Sequence, residues 1–103
     1  MTMHEALRVL LSGEMPQEKL DNLRNLLGLT REGRLSDDED AEFGYRRDWT
    51  NRTKISLYRH TPAKWQVKMT YQSEPPPVEV VQQLRSDVLS AASHLGLTVV
   101  DVR

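Results

Sequence analysis

A chain of 103 residues, 38% hydrophobic and with a formal net charge of −1, makes one small domain over 1–103. It can hide roughly 60–65% of its unfolded surface. The absence of cysteine excludes a disulfide framework, a thiol nucleophile and a thiolate metal site. Apolar runs of only a few residues exclude a membrane-spanning helix, and the N-terminus carries no secretory pattern, so a cytoplasmic location is expected.

Met3, Leu7 and Leu10 fall at helical spacing with Ala6 and Leu11 beside them, which predicts a short amphipathic helix over 3–12, ended by Gly13. Pro16 suits the first turn of a second helix, and Glu18 suits its positive dipole end. Leu20, Leu23 and Leu27 then form one apolar stripe, and Gly28-Leu29 is the expected stop. Residues 3–28 are therefore expected to be a helical hairpin whose stripes bury against the sheet, a second chain or a partner.

Residues 30–42 lose periodicity. The run Asp37, Asp38, Glu39 and Asp40 is self-repelling and reads as an acidic loop. It lacks the spacing of a calcium loop, so no metal site is expected there.

Beyond the loop the period becomes two. Phe43, Tyr45, Arg47 and Trp49 alternate, although Gly44 weakens a strand. Ile55, Leu57 and Arg59 alternate with Lys54, Ser56 and Tyr58; Trp65, Val67, Met69 and Tyr71 alternate with Gln66, Lys68 and Thr70. With His60 to Lys64 as the turn, residues 53–72 are expected to be a β-hairpin with an apolar inner face and a cationic outer one.

Pro75-Pro76-Pro77 is a stiff spacer that also suits a helix start. The stripe Val81, Leu84, Val88, Ala91 and Leu95 marks the longest helix, stopped by Gly96-Leu97. The shared Leu-Gly-Leu-Thr at 27–30 and 95–98 reads as convergent capping, since nothing around it repeats. Residues 97–102 are apolar on both faces and predict a covered strand.

The expected fold class is thus α+β. An N-terminal helical hairpin precedes a β-hairpin–α–β unit over 43–103, giving a two-layer sandwich. Its antiparallel or mixed sheet has three to four strands and a long helix on one face. A split β-α-β crossover places the last strand beside 53–60, in the order 3-1-2.

Charge points to partners more than to chemistry. Between Tyr45 and Gln72 lie Arg46, Arg47, Arg52, Lys54, Arg59, Lys64 and Lys68 against the single acid Asp48, while both flanks are acidic. His4, His60 and His94 are scattered outside any recognised metal-ligand pattern, and no phosphate loop or nucleophile elbow is present. The expectation is a non-enzymatic protein–protein interaction module without cofactor, of the kind seen in dimeric adaptors, inhibitors or immunity-type factors. Its partner is a protein or a second copy. The contact residues expected are Arg46, Arg47, Arg52, Lys54, Tyr58, Arg59 and Lys68, with Leu20, Leu23 and Leu27 from the helical hairpin. The alternative is a single-stranded nucleic-acid binder, because cations interleaved with aromatic rings over 45–72 track phosphates and stack bases. The overall charge of −1 opposes that alternative.

Overall fold

The computed structural model describes residues 3–31, 41–48, 53–61 and 63–103. Five strands and two helices follow in the order β1 (His4–Ser12), α1 (Gln17–Leu27), β2 (Ala41–Asp48), β3 (Thr53–Thr61), β4 (Lys64–Tyr71), α2 (Val78–Leu95) and β5 (Thr98–Val102). The strands form one sheet in the order β2-β3-β4-β1-β5, every neighbouring pair antiparallel. The fold class is α+β, as expected; the details differ in four places.

Residues 4–12 are a strand, which corrects the expected helical hairpin. Leu7, Val9 and Leu11 are buried and alternate with the less buried Ala6, Arg8 and Leu10. Met3, which completed the helical spacing, is 44% exposed. The segment satisfies both periods locally, and long-range pairing with β4 and β5 on its two sides decides between them.

Second, the sheet has five strands rather than three or four, because β1 and Ala41–Asp48 both join it. Third, the order 3-1-2 is replaced. Strands β4 and β5 are parallel to each other with β1 between them, so α2 does bridge a split β-α-β unit, but its last strand pairs with β1 and not with β3. Fourth, β5 is an edge. Val99 and Val102 pack on the core while Val100 is 56% exposed, next to an irregularity in the pairing with Leu10 and Leu11.

The expected hairpin of 53–72 is present as β3 and β4, with Trp65, Val67 and Met69 buried. Both helices stop as their glycines imply. Gly28 and Gly96 are left-handed, at φ 69° and 70°. The N–H of Leu29 donates to the Arg24 carbonyl (2.8 Å) and that of Leu97 to the Ala92 carbonyl (2.9 Å), folding each leucine back into the core. Pro16 and Pro77 stand at the two N-caps.

One core holds the layers together. Leu20, Leu23, Leu27 and Leu29 join Leu84, Val88, Ala91 and Ala92 over Val9, Leu11, Ile55, Leu57, Val67 and Met69. The helices therefore share one face of the sheet and touch each other. Among the described residues, no helix or strand packs on the opposite face.

Gly44 is required by close approach. It faces the core beside Leu57, and a Cβ there would lie 2.7 Å from the Leu29 carbonyl oxygen and 3.0 Å from Arg24 Nε. The segment after α1 continues along β2, where Arg31 and Tyr45 exchange backbone hydrogen bonds of 3.1 and 3.2 Å. Gly44→Ala must push this segment off the strand and is expected to cost about 1–3 kcal/mol, read as a lower urea midpoint. A midpoint unchanged by the substitution would show that the contact yields freely.

Candidate interaction surface

Antiparallel register aligns side chains in rows across the sheet, and alternate rows face opposite ways. The rows Arg46–Ile55–Met69–Leu7, Gly44–Leu57–Val67–Val9–Val102 and Arg59–Trp65–Leu11–Val99 face the helices. The rows Arg47–Lys54–Thr70–Glu5, Tyr45–Ser56–Lys68–Arg8 and Glu42–Tyr58–Gln66–Leu10–Asp101 face away from them.

This arrangement splits the residues that sequence grouped together. Arg47, Lys54, Tyr58 and Lys68 are on the open face. Arg46 lies on the helix side, with its stem near Gly28 and in a depression shared with Glu79, Gln83 and Asp87 of α2. Arg59 is also on the helix side, where its guanidinium sits 5.2 Å from the Phe43 ring centroid. Arg52 lies outside the described residues, as do the acids Asp37, Asp38, Glu39 and Asp40 and the ring of Trp49. Leu20, Leu23 and Leu27 are buried in the chain's own core at 5%, 0% and 4% exposure, so no partner reaches them in the folded domain.

The open face is a mosaic of paired charges, not a cationic sheet. Lys54 Nζ is 3.0 Å from the Oε2 of Glu42, whose side chain is only 8% exposed, and 4.5 Å from the Tyr45 ring centroid. Lys68 Nζ lies 5.0 Å from the Tyr58 ring centroid and 3.6 Å from Glu5 Oε1. Glu5 also accepts a 2.6 Å hydrogen bond from Arg8. That hydrogen bond, with Lys68 nearby, holds the Glu5 carboxyl below its usual range despite partial desolvation. Glu42 is a different case, a buried carboxylate whose compensation by Lys54 is structural, since removing the lysine would strand the charge.

Two shallow depressions mark this face. One is lined by Met3, Glu5, Glu42, Lys54, Tyr58, Lys68 and Thr70, with acids and bases mixed. The other lies over β1, β4 and β5 and includes Leu10, Gln66 and Val100 among its walls. Sequence reasoning misses Glu5, Arg8, Leu10 and Glu42, because the expected N-terminal helix puts the first three elsewhere and the loop expected over 30–42 contains Glu42. The alternation of Gln66 between Trp65 and Val67 was visible; its burial was not, because that needs Tyr58 and Leu10 on both sides.

Among the described residues no group of three or more His, Asp or Glu side chains is placed to hold a metal ion, and no helix is long and apolar enough to cross a membrane. No known family model matches the chain, and a search of curated proteins finds none similar to it.

Proposed function

We propose that this chain is a non-enzymatic protein-binding module and that its open sheet face receives a protein partner. The observation behind this reading is that, among the described residues, the helices cover only one face of the sheet, while on the other Lys54, Lys68 and Arg8 are already matched by Glu42 and Glu5. Such a surface carries little long-range attraction, and recognition on it must come from shape and short-range pairing. Leu10 and Val100 add apolar area between the polar groups.

A second reading, single-stranded nucleic-acid binding, draws on Tyr45 and Tyr58 sharing the face with Arg47, Lys54 and Lys68. The geometry favours it less. The Lys54 and Lys68 ammoniums lie over the two tyrosine rings where a base would stack, and Glu42 and Glu5 hold both cations. A phosphate would have to compete with each carboxylate for its lysine.

Fluorescence anisotropy with a mixed-sequence single strand of about 20 nucleotides separates the two readings. At physiological salt the expected dissociation constant is weaker than about 10 μM, in the non-specific range. Arg47→Glu combined with Lys68→Glu spares the buried Glu42–Lys54 pair and should abolish capture of a partner from nuclease-treated lysate. A sub-micromolar constant would overturn the proposal in favour of nucleic acid. It would have to be lost in that variant, with a log–log salt slope flattened by about 1.4.

A further inference from the structure

The two edges of the sheet are closed in different ways. Outward N–H and C=O groups along an edge strand are a template for another chain, so an edge must be covered or blunted. At β2 the cover comes from the chain itself, because Arg31 pairs with the outward backbone groups of Tyr45. Among the described residues no strand lies beyond β5.

The pairing of β5 with β1 fixes which of its groups face outward. Arg8 and Arg103 exchange backbone hydrogen bonds of 2.9 and 2.8 Å, so the adjoining pair Val9–Val102 is of the opposite kind. The N–H and C=O of Val102 therefore point away from β1. That N–H does not stand open: it donates to Asp101 Oδ1 at 2.9 Å. Arg103 Nε donates to the second oxygen, Oδ2, at 2.6 Å and steadies the carboxylate along the edge. Val100, just before it, is the extra residue of a bulge, since Leu10 faces Asp101 and Leu11 faces Val99. The bulge interrupts the edge on one side of Asp101, and the side-chain cap closes it on the other.

We infer that Asp101 guards this edge: its carboxylate on the Val102 N–H keeps β5 from pairing with β5 of a second copy. In a solution of this chain alone that strand is always available, and antiparallel pairing about a twofold axis merges two sheets into one. An added strand needs the Val102 donor, which Asp101 already holds. Pairing must exchange a charge-assisted hydrogen bond for a neutral one, and so gains little while the cap is in place. The inference concerns the edge alone and does not depend on what the open face receives.

The test is light scattering over a concentration series, combined with amide hydrogen exchange. The native chain is expected to show no concentration-dependent protection of the Val102 amide. Asp101 is 38% exposed, so Asp101→Ala should fold, which a cooperative melt checks. That variant is expected to associate with a dissociation constant below about 1 mM, at least about tenfold tighter than the native chain, with Val102 gaining protection as concentration rises. Asp101→Asn retains an acceptor oxygen at the same place and should associate less than Asp101→Ala. Adding Val100→Lys to Asp101→Ala puts a charge at a 56% exposed edge position and should restore the native mass. The inference is overturned if Asp101→Ala keeps the native mass at about 1 mM. It is equally overturned if the Asn and Ala variants associate alike, if association leaves Val102 unprotected or survives Val100→Lys, or if the native chain already pairs through β5.

Discussion

Leu23→Asp is expected to leave the chain without a cooperative fold, whereas Leu26→Asp on the same helix should change stability by less than about 0.5 kcal/mol. Leu23 is fully buried where α1 meets the sheet and α2, and Leu26 is 52% exposed. A carboxylate at the first position has no partner among Leu20, Leu27, Val88 and the apolar face of the sheet. Removing the leucine alone costs about 2–5 kcal/mol, and burying the acid adds several more. Together these rival the whole stability of a domain of this size, about 5–15 kcal/mol. Circular dichroism with light scattering reads the result as lost helix signal without a folded species of changed mass. A folded variant of lower mass would instead place the stripe in an interface between chains, and a native melt would place it on the surface.

What sequence reveals here depends on how far each signal reaches along the chain. Helices α1 and α2 were legible because stripe, entry proline and exit Gly-Leu all lie within one short window and agree. The β3–β4 hairpin was legible for the same reason: its alternation and its turn are local. Residues 4–12 were not, since Leu7, Val9, Leu10 and Leu11 satisfy helix and strand spacing together and only pairing with β4 and β5 settles the period. That single error displaced the order of the sheet, put β5 beside the wrong neighbour and hid its exposed edge.

The candidate surface suffered in proportion. Arg59 was grouped with the outward cations although its alternation with Leu57 already placed it on the inner face. Arg46 and Arg47 are adjacent in β2 and so must point oppositely, which net charge over a window cannot show. The carboxylates that neutralise the face, Glu5 and Glu42, come from segments distant in sequence from the lysines they meet. Local charge counting therefore overstated the positive field, and only register brings the balancing acids into place.

Trp65→Ala should cost about 3–5 kcal/mol, the largest single loss expected from a truncation that introduces no charge. The ring is 4% exposed and meets Phe43 edge-on, with centroids 5.2 Å apart and planes at 66°. Arg59 covers the other partner, so the three side chains close one end of the core where β3 and β4 turn. Trp65 Nε1 is buried without a hydrogen bond, a cost the native residue bears that phenylalanine does not. Trp65→Phe is therefore expected to lose much less than Trp65→Ala, because the lost volume is partly offset by removing the unpaired donor. A double-mutant cycle with Phe43→Ala should return a coupling of about 0.5–1.5 kcal/mol. Urea midpoints at fixed slope measure all of these. A Trp65→Ala loss below about 0.5 kcal/mol would mean that the ring is not part of the core, and base stacking at this hairpin would regain its force.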